Sequence, residues 1–182
     1  MSAGYRRNAR RVVYENPWLR FESHDIVHPN GVPGEHGLVV NPRASAVVLA
    51  DGDDVILVRQ ARFAIDRVVL EVIKGGAHEG ESELECAMRE SREEAGLSAA
   101  RWDALGQTYE IPSIVQQPVM IFLGRDLHEA PLAPEEVERI SVVRMPLAEA
   151  LDACTNGRID DAVSAVSLFR AARFMDGGKD IG

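Results

Sequence analysis

At 182 residues with 46% hydrophobic side chains, the chain can fill one core and is too short for two large ones. Its 20 Lys and Arg against 29 Asp and Glu leave a net charge of -9, which repels an extended phosphate backbone and argues against a nucleic-acid partner. A small phosphate ester stays open, because divalent cations held by carboxylates invert the local potential of an acidic site. Cys86 and Cys154 are too few and too far apart for a disulfide framework or a four-ligand zinc site. Residues 1–11 are basic and polar without the apolar run of a secretory signal, and the longest apolar stretch, 46–50, falls far short of membrane-spanning length. The expectation is a soluble cytoplasmic protein with reduced thiols and no membrane partner.

Along the chain, the basic start with Arg6, Arg7, Arg10 and Arg11 is expected to be a flexible, solvated terminus. Short apolar runs then predict strands at 19–27, 36–40, 45–49, 55–60 and 68–73, with Trp18 packed on the N-terminal ones. Asp51-Gly52-Asp53-Asp54 is hairpin chemistry, since Gly and Asp tolerate the positive φ of tight turns. A helix is predicted over 82–95. Ser82 stands at its N-cap with Glu85 three residues on, a capping-box signature, and Gly96 suits a left-handed stop. Strands follow at 106–110, 119–123 and 140–144, then a short helix after Pro146. A closing helix over 161–175 places Ala162, Ala165, Val166 and Phe169 on its packed side. This order describes an α/β (α+β) chain, a mixed sheet with helices on its faces.

The first long helix carries the chemistry. Successive residues turn by about 100°, so Glu90, Glu93 and Glu94 share one sector while Leu84, Ala87, Met88, Ser91 and Ala95 form another, expected to be core. Like charges at this spacing cost a helix roughly a few tenths of a kcal/mol per pair, so their clustering needs a reward. Ordinary salt bridges such as Arg89 with Glu93 would supply one. A hard divalent cation, which prefers oxygen ligands and keeps sites for water and substrate phosphate, would supply another.

The wider spacing separates these readings. Gly75, five residues, Glu81, seven residues, Arg89-Glu90-Ser91, one residue, Glu93-Glu94, one residue, Gly96-Leu97 resembles the Nudix box and matches eight of its nine specified positions. At ~10% per position, the required Gly, Glu and Arg residues would coincide about once in 10⁷ windows. The departure is Ser91, where the family has a bulky aliphatic residue, and a local stability cost with intact metal chemistry is expected there. The resemblance implies a Nudix-type α/β/α sandwich with a mixed sheet, and Mg²⁺ as cofactor with Mn²⁺ as a substitute. By position it implies Glu90 and Glu94 as direct magnesium ligands, Glu93 as a third ligand or one acting through water, and the backbone carbonyl of Lys74 as a further donor. It implies that Arg89 orients Glu93 and that Glu81 ties the loop to the helix, with Gly75 and Gly96 allowing the bends. Glu71, on the preceding strand, is placed to reach the same ions.

Val13-Tyr14-Glu15-Asn16-Pro17-Trp18-Leu19 and Leu57-Val58-Arg59-Gln60-Ala61-Arg62-Phe63, followed by Leu70-Glu71, look like the N-terminal half of ADP-ribose pyrophosphatases. That likeness spans residues 12–127. It implies an N-terminal β appendage over 1–42, a small antiparallel sheet that builds a homodimer, followed by the hydrolase domain over 43–182. It also sets Arg59 and Arg62 against substrate phosphate, a pairing suited to guanidinium, with a surface ion pair the alternative for either. Those enzymes carry a Ser-Asp-Glu loop after the box, whereas here Pro112-Ser113-Ile114-Val115-Gln116-Gln117-Pro118 has amides. An amide cannot be a general base at neutral pH, so the base is either Glu93 or the acidic segment with Glu135, Glu136 and Glu138. The ADP compounds hydrolase branch is similar in Lys74-Gly75, Pro112-Ser113 and Val163-Ser164-Ala165. The expected activity is cleavage of ADP-ribose or a related ADP compound, a small nucleoside diphosphate substrate, to AMP and a phosphorylated product. The alternatives are another nucleoside diphosphate derivative (a nucleotide sugar, a dinucleoside polyphosphate or NADH) and a non-catalytic module that senses ADP-ribose. Retention of all the box glutamates weighs against sensing.

Overall fold

The computed structural model describes residues 3–133 and 140–177, so the acidic segment with Glu135, Glu136 and Glu138 lies outside the described residues. Seven strands come first: β1 (Arg6–Glu15), β2 (Arg20–Val27), β3 (Pro33–Val40), β4 (Ala44–Asp51), β5 (Asp54–Arg62), β6 (Arg67–Glu71) and β7 (Ile73–Gly76). Helix α1 (Glu83–Glu94) follows, then β8 (Leu97–Tyr109), β9 (Val115–Gln116), β10 (Pro118–Glu129) and β11 (Ile140–Pro146). Helices α2 (Leu147–Thr155) and α3 (Ala162–Met175) close the chain. Two compact units result, Met1–Pro42 with Tyr109–Gln117, and Arg43–Thr108 with Pro118–Gly182.

The smaller unit is a four-stranded sheet in the order β1-β2-β3-β9, antiparallel except where β9 joins β3 in parallel. β1 corrects the expectation of a flexible start. Every position of this strand is exposed, so no buried alternation marked it in the sequence. Its partners are ionic: Arg11 reaches Asp25 at 3.1 Å, Ser23 at 2.9 Å and Glu35 at 3.1 Å, and Arg10 reaches Glu22 at 3.4 Å. Trp18 does not pack on this sheet. Asn16 Oδ1 accepts the Trp18 and Leu19 amides at 2.9 Å in a tight turn that leaves the indole 73% exposed.

The larger unit is built on a seven-stranded mixed sheet ordered β11-β5-β4-β10-β8, with β6 on β5 and β7 on β4. Side chains alternate across it. Ala46, Val48, Leu57, Ile121 and Leu123 meet Ala150, Ala153, Val163, Leu168 and Ala171 of α2 and α3 on one face, while Val47, Leu49, Ile56, Val58 and Phe122 meet Ala87 of α1 on the other. The α/β/α layering follows from that alternation, and β4 is buried at seven consecutive positions because both its faces are covered. The sheet also splits. β4 pairs with β5 only at Leu49–Asp51, beside the Gly52 turn at φ +62°. Beyond it β6 stays on β5 and β7 crosses to β4, with Val72 at the switch. No helix among the described residues is long and apolar enough to cross a membrane.

Two helix faces differ from expectation. On α3 the buried residues are Val163, Ser164, Ser167, Leu168 and Ala171, while Phe169 is 48% exposed and Ala162 faces solvent. The serines go inside because each hydroxyl is satisfied there: Ser164 Oγ accepts the Val72 amide at 3.0 Å, and Ser167 Oγ donates to Val163 O at 2.7 Å. On α1 the buried residues are Cys86, Ala87, Ser91 and Glu94, with Leu84 and Met88 exposed. Glu94 therefore shares the face of Ala87 and Ser91 rather than standing apart from it. The Ser91 hydroxyl, wholly buried, back-bonds to Ala87 O at 2.7 Å, so the departure from the box pattern leaves no orphaned polar group.

Candidate active site

The site is a strand, a loop and a helix, each fixed locally. Ser82 Oγ accepts the Glu85 amide at 3.3 Å and Glu85 Oε2 accepts the Ser82 amide at 2.8 Å, which closes the capping box and starts α1. Gly96, at φ +69°, releases the chain into β8. At the strand end, a Cβ on Gly75 would fall within the Glu90 carboxylate, so only glycine lets that side chain lie against the backbone of β7.

Arg89 gathers the cluster. Its Nε meets Glu81 Oε1 at 2.9 Å, Nη1 meets Glu90 Oε1 at 2.6 Å and Glu93 Oε2 at 2.9 Å, and Nη2 meets Glu81 Oε2 at 3.0 Å and Gly76 O at 2.8 Å. Glu81 Oε2 also accepts the His78 amide at 2.8 Å, which joins the loop to the helix. Burial works against the charge on Arg89, yet the bonds from Glu81, Glu90 and Glu93 outweigh it and raise the guanidinium above its ordinary value. The Arg89 bond in turn holds Glu81 below the usual carboxylate range. Cys86 donates to Gly75 O at 3.4 Å, and burial, then Glu90, push its thiol up to about 11, so it is a packed, protonated side chain at neutral pH.

The other candidates are placed differently. Both oxygens of the buried Glu71 carboxylate are taken, Oε1 by Arg62 Nη2 at 2.6 Å and Oε2 by Lys74 Nζ at 2.7 Å, and Lys74 Nζ also meets Asp161 Oδ1 at 2.7 Å. Arg62, Glu71 and Lys74 are thus brought together in a chain of their own, with Arg89 absent from it. Arg59 is exposed, and the alternation of β5 after Leu57 and Val58 directs it to the sheet face that carries α2 and α3, opposite α1. In the smaller unit, Gln117 donates to Pro42 O at 3.1 Å and accepts from Asn41 Nδ2 at 3.3 Å. A carboxylate there could not make the first bond, which explains an amide at this position. Sequence reasoning missed Asp161 as a partner of Lys74. The sequence placed Asp161 at the start of the closing helix, and its roles as N-cap and as an ion-pair partner across the chain come from the structure.

Among the described residues no group of three His, Cys, Asp or Glu side chains is arranged to hold a metal ion. The donors of this stretch are nonetheless of the kind that Mg²⁺ takes, the carboxylate oxygens of Glu90, Glu93 and Glu94, with Glu90 lying against the Gly75 backbone. The space kept open by Gly75 brings the Glu90 carboxylate to that backbone, so the residues present fit a hard divalent cation.

A strand, loop and capped helix with this carboxylate and guanidinium arrangement, set in an α/β/α sandwich, define a class of hydrolase. Residues 40–165 match the family model for the NUDIX domain, and the chain belongs to the Nudix hydrolase family. It is 30% identical to the ADP compounds hydrolase NudE of Escherichia coli (strain K12), over 86% of this chain and 85% of that one. It is 26% identical to an ADP-ribose pyrophosphatase of Bacillus subtilis (strain 168), over 88% of each chain. The crystal structure of an ADP compounds hydrolase superposes with a TM-score of 0.85 at 26% identity, covering 96% of both chains.

Proposed function

We propose that this protein is a Mg²⁺-dependent pyrophosphohydrolase that cuts the diphosphate of ADP-ribose or a related ADP compound, giving AMP and a phosphorylated product. The observation that carries this reading is the gathering of Glu81, Glu90 and Glu93 around Arg89 beside the Gly75 backbone. The likeness to two sequence relatives and one solved structure, all ADP-directed hydrolases, supports the substrate class.

Glu90 and Glu94, with Glu93 and the Lys74 carbonyl, would hold the ion. When bound, it supplies charge neutralisation at the diphosphate and eases deprotonation of the attacking water. Arg89 orients Glu93 through the 2.9 Å bond, and Glu81 braces Arg89 from the loop. In this reading Glu93 takes the proton of the water, a role that the amides of Gln116 and Gln117 cannot fill. Exposed Val12, Val13, Tyr14 and Trp18 on the smaller unit support a homodimer, which light scattering on the purified protein checks: a monomer's mass at micromolar concentration counts against it. Free thiols at Cys86 and Cys154 are consistent with action in the cytoplasm.

A second reading, a nucleotide sugar as substrate, is favoured by 28% identity to a GDP-mannose pyrophosphatase of Cronobacter sakazakii (strain ATCC BAA-894), over 87% of this chain and 90% of that one. Chromatography of products from ADP-ribose, diadenosine polyphosphates, NADH and GDP-mannose with Mg²⁺ decides between them. AMP from ADP-ribose is expected, and Glu94→Gln should lower kcat by at least ~100-fold, about 2.7 kcal/mol of barrier. Near-full turnover by Glu94→Gln would remove the metal assignment. Inertness of the wild type across the panel would turn the reading toward effector binding.

A further inference from the structure

We propose that Asp161 is a positioning residue for the active site, acting through Lys74 and Ser164 to fix the stretch 72–75 against which Glu90 packs; this rests on the metal-site reading above. The stretch needs an external anchor because regular pairing lapses within it. β6 ends on β5 at Glu71 and β7 begins on β4 at Ile73, so Val72 belongs to neither ladder. Both anchors come from the N-terminus of α3. The Val72 amide donates to Ser164 Oγ at 3.0 Å, and Lys74 Nζ meets Asp161 Oδ1 at 2.7 Å.

A single carboxylate makes the connection. Asp161 Oδ2 caps α3 by accepting the Ser164 amide at 2.8 Å and the Ser164 hydroxyl at 2.5 Å, which leaves Oδ1 for Lys74. The same hydroxyl receives the Val72 amide, so helix cap and strand anchor are one bonded unit. Lys74 completes it from the other side through Glu71, and Arg62 satisfies the second oxygen of Glu71. Two cations and two carboxylates balance, and although Arg62 at the outer end is 35% exposed, Glu71 at 2%, Lys74 at 15% and Asp161 at 21% are screened little by solvent.

A lysine next to a diphosphate site invites reading as a phosphate ligand. Here its ammonium is held between two carboxylates, and what it delivers is the position of its own backbone. The next residue, Gly75, meets the Glu90 carboxylate and accepts the Cys86 thiol, and Gly76 O accepts Arg89 Nη2 at 2.8 Å. Movement of this stretch therefore reaches both the metal-binding glutamate and the arginine that orients Glu93.

The test compares wild type, Asp161→Asn and Ser164→Ala, with Glu94→Gln as control. Asparagine caps a helix as well as aspartate does but removes the charge opposite Lys74, and Ser164→Ala removes the Val72 anchor with every charge in place. Mn²⁺ affinity, read from the electron paramagnetic resonance signal of free ion, and steady-state kinetics with ADP-ribose are measured on the full chain. For Asp161→Asn the expected result is a Mn²⁺ Kd raised ~10-fold and a kcat lowered by a similar factor, the scale of lost support behind a metal ligand. KM should stay within about twofold, since substrate binding itself loses no contact. Ser164→Ala should move the same quantities in the same direction by less. A variant that melts earlier yet keeps wild-type Mn²⁺ affinity and kcat overturns the proposal, because a structural bracket alone would do that. If Asp161→Asn does not fold, unchanged affinity and kcat in Ser164→Ala overturn it equally. Wild type that binds no Mn²⁺ takes down the metal-site reading and this inference with it, whereas wild type that binds beside unaltered variants removes only the positioning role.

Discussion

Two ionic clusters of the larger unit use the same kinds of residue and differ in charge balance. Around Arg89, three carboxylates share one guanidinium. Along Arg62, Glu71, Lys74 and Asp161 the signs alternate and cancel. The balanced chain is complete as it stands, and it joins a strand switch to a helix end. The unbalanced cluster keeps an excess of negative charge in a partly buried setting, which costs free energy that a bound divalent cation would offset. Charge balance, more than residue type or burial, separates the cluster suited to holding the fold from the one suited to holding an ion.

The largest effect should come from unbalancing the complete chain. Glu71→Gln leaves the part-buried Lys74 and the 35% exposed Arg62 against a neutral amide. Breaking one partner of a fully buried pair costs roughly 3–5 kcal/mol, and solvent screening at Arg62 sets the expected loss toward or below the lower end of that range. Urea unfolding should show that loss, whereas Glu94→Gln should leave the urea midpoint nearly unmoved and strike at turnover instead. The contrast fails if Glu71→Gln keeps its stability and loses only kcat.

Acid should reach both clusters by the same route. Glu81 is lowered first by its bond to Arg89, and at Asp161 burial pushes the other way but the Lys74 charge prevails and lowers it too. In each case the unfolded chain binds the proton more readily than the folded one, so the stability these carboxylates contribute is complete above about pH 5 and is withdrawn as pH falls through their lowered values. Urea midpoints from pH 7 to pH 3 should fall for the wild type, and less steeply for Glu81→Gln and Asp161→Asn. Parallel slopes in all three would mean that neither carboxylate contributes.

The same contrast explains what the sequence could disclose. The box cluster is local: Ser82 with Glu85, and Arg89 with Glu90 and Glu93, sit within a few helical turns, where spacing alone fixes who meets whom. The other chain joins Lys74 to Asp161 across most of the hydrolase fold, and no local pattern announces such a pair. β1 was hidden for a related reason, since its partners Asp25 and Glu35 lie on two later strands and its own residues show no apolar alternation. On α3, hydropathy favoured Phe169 over Ser164 and Ser167 for the interior, and the order reversed because Val72 and Val163 provide hydrogen bonds for the hydroxyls. The short β9 pairs only Val115 and Gln116 with Val39 and Val40, too little chain to leave a periodic signal.

The smallest effect belongs to Ser91, which sits on the same helix as Glu90, Glu93 and Glu94 but in neither ionic cluster. Among the described residues its hydroxyl bonds back to Ala87 O, an interaction that helices gain little from, so Ser91→Ala should change stability by no more than about 0.5 kcal/mol. Ser91→Leu restores the family's bulky residue at a position with no exposed surface, and inserting that volume into packed surroundings should cost about 1–3 kcal/mol. Both variants should retain kcat, because neither alters a charge near Arg89. Urea unfolding and turnover together check this. A more stable Ser91→Leu would show that the serine leaves unfilled space under α1, whereas a loss of kcat in Ser91→Ala would mean that the buried hydroxyl helps to hold Glu90 or Glu94 in place.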